Sequence, residues 1–154
     1  MSTVFKKCNS HHPDFAGLVE LLNRDLNLRN GEIQERYNEF NKIGLIETVV
    51  IAYANDIPVG CGCFKFYDED TVEIKRMFVK KEERGKRIAS QILTNLEYWA
   101  FDLGFKKAIL ETGVNQSEAI ALYQKSGYEL IPNYGQYIGN TNSICMCKPI
   151  EVTV

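Results

Sequence analysis

Between Val72 and Leu103 the chain passes from a strand-like apolar run to its longest amphipathic pattern, through Arg84-Gly85-Lys86-Arg87-Ile88-Ala89. A glycine-containing turn that feeds a helix start leaves several backbone N–H groups pointing outward. Together with the positive end of the helix dipole, those donors suit a phosphate or pyrophosphate. Arg84, Lys86, Arg87 and, upstream, Lys81 add charge of the right sign. The junction predicts an anion-binding loop at the exit of a strand. A basic helix start exposed to water would carry the same letters, so the neighbouring sequence has to decide.

The rest of the chain alternates in the same way. Val4 to Cys8 reads as a strand. Pro13 suits a first helical turn, and Phe15, Leu18, Val19, Leu22 and Leu26 line one helical face up to the break at Asn30-Gly31. A short second helix is expected from Glu32 to Phe40, with Glu32, Glu35 and Glu39 forming an acidic stripe. Ile46 to Ala54 and Pro58 to Tyr67 read as strands joined by an Asn55-Asp56 hairpin turn, followed by Val72 to Val79. The long helix sets Ile88, Ile92, Leu96, Trp99, Ala100 and Leu103 toward a core and stops at Gly104. Lys107 to Glu111 (strand), Gln116 to Lys125 (helix), Tyr128 to Ile131 (strand) and Ser143 to Lys148 (strand) complete the layout.

The strand before the loop carries a further signal. Val72 and Ile74 are in even phase, Met77 and Val79 in odd phase. A side-chain period of two changes parity only through an extra residue, which predicts a β-bulge between Ile74 and Met77.

The loop and a downstream block together resemble the GNAT superfamily of N-acetyltransferases. Its acetyl-CoA signature runs from Arg or Gln, through Gly, to Gly or Ala. Arg84 and Ala89 fit the ends, while Arg87 stands where glycine is usual. Downstream, Leu110-Glu111-Thr112 leads to Asn115 and then to a helix with Ala119-x-x-x-Tyr123, closing at Gly127. Read alone, Tyr123 is a core aromatic paired with Ile120 on one helical face. The resemblance, from about Ile46 to Lys148, implies an α/β (α+β) fold: a single domain over residues 1–154, with a mixed, mostly antiparallel sheet of six to seven strands and helices on both faces.

It also implies a site. Acetyl-CoA would be the acyl donor, with its pyrophosphate on Arg84, Gly85, Lys86, Arg87, Ile88 and Ala89. Its pantetheine arm would lie along Met77, Phe78 and Val79, and Asn115 and Tyr123 would border it. A backbone N–H at Met77 or Phe78 would hold the oxyanion. Glu73, eleven positions before Arg84, matches the spacing of the catalytic glutamate in histone-type members. An amine must lose a proton before it can attack, and a carboxylate can take that proton directly or through water. A solvated strand glutamate opposite Lys75 is the other reading. Tyr123 would protonate the departing thiolate, giving direct transfer with no covalent enzyme intermediate. A domain that binds acyl-CoA as a sensor is the alternative, and retention of Asn115 and Tyr123 favours the enzyme.

Composition fits a cytoplasmic enzyme: a net charge of −2 offers no basic excess for nucleic acid. No apolar run is long enough for a membrane span, and no secretory signal is visible. Cys8, Cys61, Cys63, Cys145 and Cys147 are read as free thiols. The Cys-x-Cys pairs lie in strand-like runs, where cysteine serves as a small hydrophobe, so no metal site is expected. His11-His12 reads as a capping or surface pair. The partner is a small-molecule or peptide amine, with the protein a monomer or homodimer. Pro132 to Tyr137, with Tyr37 and Phe40, would wall the acceptor pocket or merely pack the loop. The acidic stripe would favour cationic acceptors if it borders the cleft, and is otherwise a solvated face.

Overall fold

The computed structural model describes residues 3–30 and 45–150. The expected second helix, with Glu32, Glu35, Tyr37, Glu39 and Phe40, lies outside the described residues. Among those described, the order is β1 (Thr3–Cys8), α1 (Pro13–Asn30), β2 (Val49–Ala54), β3 (Ile57–Phe66), β4 (Thr71–Val79), α2 (Ile88–Asp102), β5 (Lys107–Gly113), α3 (Ser117–Lys125), β6 (Glu129–Ile131) and β7 (Ser143–Pro149). The seven strands form one sheet in the order β1-β2-β3-β4-β5-β7-β6. Pairing is antiparallel for β1/β2, β2/β3, β5/β7 and β6/β7, and parallel for β4/β5. The mixed, mostly antiparallel sheet is the expected one.

The chain forms two compact units, Met1–Lys65 with Lys75–Leu96, and Phe66–Ile74 with Glu97–Val154. In the first, β1 and β2 run antiparallel from Thr3↔Ala54 to Cys8↔Val49. Asn55 (φ 52) and Asp56 (φ 64) are both left-handed, which matches the twist of the flanking strands in a two-residue hairpin. Phe15 and Leu18 of α1 pack with Ile46, Val49, Ile51, Cys61 and Cys63. The Cys61 and Cys63 thiols donate to the carbonyls of Arg76 and Lys75 at 3.4 and 3.3 Å, and burial pushes the Cys61 thiol well up. His12 caps α1, its Nδ1 accepting from the Asp14 N–H at 3.1 Å.

In the second unit, β5 pairs with β7 from Lys107↔Pro149 to Gly113↔Ser143, and β6 pairs with the same strand. Gly127 (φ 99) turns the chain out of α3. Tyr128 then donates to Glu97 Oε2 at 2.9 Å, while Lys148 Nζ holds Oε1 at 2.8 Å. The sequence pattern ran one residue too far in α2. Leu103, expected to face the core, is 51% exposed. The helix ends at Asp102, and Gly104 (φ 95) turns the chain as its N–H donates to the Phe101 carbonyl. Past that point helical periodicity no longer sets where a side chain points.

Candidate active site

The first unit holds the loop and the end of β4. A 3-10 turn, Lys81–Glu83, leads into it. Gly85 takes φ 85 and Arg87 φ 63 before α2 starts at Ile88. Two left-handed residues in three fold the backbone tightly against the start of a 15-residue helix, whose first-turn N–H groups have no partner within the helix. Arg87, which stands where glycine is usual in the family signature, adopts the backbone conformation for which glycine is the ordinary choice.

The loop's side chains divide by direction. Arg84 Nε donates to the Val79 carbonyl at 2.9 Å, its NH2 lies 3.6 Å from Asp25 Oδ2, and the guanidinium carbon sits 5.8 Å from the Phe78 ring centroid. Arg84 thus ties the loop to the end of β4. Lys86 is exposed and pairs with Glu83 at 2.8 Å. A surface pair of this kind is worth at most about 1 kcal/mol and yields readily to a phosphate.

β4 carries the other expected device. Arg76 has φ 57, a conformation foreign to a regular strand, and it stands between Ile74 and Met77 where the parity break required it. Its NH1 donates to Asn23 Oδ1 at 3.2 Å. Beyond the bulge, Met77 lies over Gly62 so closely that a Cβ there would overlap its Sδ and meet Ile92 Cγ2 at 2.9 Å. A cavity of about 380 Å³, lined by Phe15, Ala16, Val19 and Leu45 with Arg76, opens in this unit.

The second unit holds Glu73, Asn115 and Tyr123. Glu73 is 3% exposed, which disposes of the solvated-strand reading. Its Oε2 accepts from the Tyr134 hydroxyl at 2.6 Å. Burial and the Glu73 charge push the Tyr134 phenol far up, so it stays a donor at working pH. Tyr134 makes edge contacts with Tyr67 at 5.4 Å and Tyr137 at 5.6 Å. Tyr137 is buried, which removes it as a wall of an open pocket. Asn115 is exposed in the turn before α3.

Tyr123 is 7% exposed and packs edge-on against Tyr128 at 5.9 Å. Burial, with Glu111, pushes its phenol well up. Glu111 is itself bonded by Ser143 Oγ at 2.7 Å. Sequence reasoning missed the Tyr134–Glu73 contact, which spans 61 positions, and the Glu97 anchor. Neither pairing leaves a local signal, although Tyr134 had been marked within its loop.

Residues 15–128 match the sequence pattern of the Acetyltransferase (GNAT) family. The chain is 36% identical over 102 residues to the IAA acetyltransferase of Azospirillum brasilense, spanning 66% of this chain and 67% of that protein. Among solved structures, a Klebsiella pneumoniae protein described as an acyl-CoA N-acyltransferase superimposes with a TM-score of 0.80 at 23% identity, covering 97% of this chain and 98% of that one. A GNAT family acetyltransferase of Elizabethkingia anophelis with acetyl-CoA bound gives 0.66 at 20% identity, over 96% and 97% of the two chains. At such identities the structural likeness shows the fold.

Proposed function

We propose, from the premise that this chain belongs to the acetyltransferase (GNAT) family, that it transfers the acetyl group of acetyl-CoA to a primary amine of a small molecule or peptide. The observation that carries the reading is the loop Arg84 to Ala89, with left-handed Gly85 and Arg87 set against the start of α2. This arrangement receives a pyrophosphate with N–H groups, a helix dipole and two exposed cations.

In this reaction Glu73 takes the proton of the ammonium, directly or through water. The free amine attacks the thioester carbonyl, and the oxyanion rests on a backbone N–H at Met77 or Phe78. The C–S bond then breaks, and the thiolate receives a proton from Tyr123. At ordinary values a phenol near pKa 10 and a thiol near 8.5 are almost balanced. The burial that raises Tyr123 tilts that balance, so the hydroxyl serves first as a hydrogen-bond donor to the leaving sulfur.

The test is release of CoA thiol from acetyl-CoA across a panel of amines. Amine-dependent release is expected. Binding of acetyl-CoA with no amine-dependent release would make the protein a sensor. In Glu73→Gln, turnover falls about 10²-fold below the acceptor's pKa and partly recovers above it, where free amine is abundant. A pH–rate profile superimposable on the parent would remove Glu73 as base.

A further inference from the structure

We propose that Tyr134 is a positioning residue for the base, fixing the Glu73 carboxylate in the orientation from which it accepts the amine proton. This rests on the reading of Glu73 given above. A carboxylate turns easily about its last torsion, and a base that must meet a proton within hydrogen-bond reach is useful only if that torsion is set. In the second unit the Tyr134 hydroxyl contributes to that setting through its 2.6 Å bond to Oε2. Anchoring Oε2 fixes the carboxylate plane and, with it, the place of Oε1.

The segment between β6 and β7 is built to deliver that hydroxyl. Gly135 is left-handed (φ 52) and begins the 3-10 turn Gly135–Tyr137. Asn133 Nδ2 donates to the carbonyls of Tyr137 at 3.1 Å and Asn140 at 2.9 Å. These bonds close the turn on itself. Tyr137, 1% exposed, then meets the Tyr134 ring at 88°, and Tyr67 meets it at 78°. Two edge contacts and a pinned turn leave the Tyr134 ring little freedom. A buried carboxylate also needs a donor simply to be tolerated, so the experiment must separate positioning from satisfaction.

The measurement is a double-mutant cycle on kcat, with KM for acetyl-CoA followed in parallel. Tyr134→Phe keeps the ring and its contacts and removes the hydroxyl. It is expected to lower kcat about tenfold, with KM for acetyl-CoA within about twofold. In a Glu73→Gln background the same change is expected to alter kcat by less than about twofold, because the group it positions no longer acts as base. Tyr98→Phe, at an exposed tyrosine of the same unit, is the control and leaves kcat unchanged. If Glu73→Gln lowers kcat but Tyr134→Phe does not, or if Tyr134→Phe costs the same in both backgrounds, positioning is overturned while the base survives. If Glu73→Gln leaves kcat intact, the base assignment falls and this inference falls with it.

Discussion

Arg87 concentrates the chemistry of the loop in one residue. An L residue held left-handed costs about 1–2 kcal/mol, whereas glycine there costs only its larger loss of chain entropy, about 0.5–1 kcal/mol. At φ 63 on an exposed surface, Arg87 carries that strain at the start of α2, where its carbonyl accepts from Ser90 Oγ at 3.0 Å and from the Gln91 N–H at 3.1 Å. Under the proposed function its guanidinium would add a charge-assisted bond to phosphate. Arg87→Gly is therefore expected to raise stability by about 0.5 kcal/mol while raising KM for acetyl-CoA several-fold, with kcat little changed. Arg87→Ala removes the charge but keeps the strain, so it should show the same KM without the gain in stability. Thermal melts and initial rates on both variants check this. A KM that improves in Arg87→Gly would mean that close backbone approach, not the guanidinium, governs affinity.

At the scale of elements, β4 is where the sequence was most and least readable. The parity change from Ile74 to Met77 announced a break, and the left-handed Arg76 supplies it. The hairpin at Asn55-Asp56, the helix starting at Pro13 and the stop at Gly104 were legible because each follows from local backbone chemistry. The overrun at Leu103 followed from extending a period past its cap. The partner of Glu73 was illegible for a different reason: a side-chain pair 61 positions apart imposes no spacing rule on either segment. Packing between β3, β4 and α2 was hidden in the same way, yet Gly62 records it. Its missing Cβ makes room for Met77, with Ile92 and Leu96 close behind. Gly62→Val is expected to destabilise the fold by about 1–3 kcal/mol and to displace Met77. A denaturation midpoint lowered to that extent, with weakened acetyl-CoA binding in the protein that remains folded, is the predicted result. An unchanged midpoint would show that β3 yields freely.

Across the whole molecule, buried phenols and thiols set the response to alkali. Burial raises Tyr53, Tyr123, Tyr128, Tyr134 and Tyr137, and likewise Cys8, Cys61, Cys145 and Cys147. Every shift has the same sign, so the folded chain holds these protons more tightly than the unfolded one. The stability they confer is complete below the unfolded values, 9.0 for the thiols and 10.0 for the phenols. It is lost as pH rises beyond them, because the unfolded chain then releases protons that the folded chain keeps. Each group that ionises only on unfolding contributes a slope of about 1.4 kcal/mol per pH unit. The three phenols most enclosed, Tyr123, Tyr128 and Tyr137, alone contribute a slope of about 4 kcal/mol per unit above pH 10. Urea denaturation at stepped pH should show little change from these groups up to pH 8 and a steepening fall above 9. The ultraviolet tyrosinate signal of the buried phenols should rise together with the loss of helical circular dichroism. If that signal rose in full while the dichroism stayed native, the phenols would be open to solvent, and the enclosure of Tyr123 and Tyr134 would fall with that result.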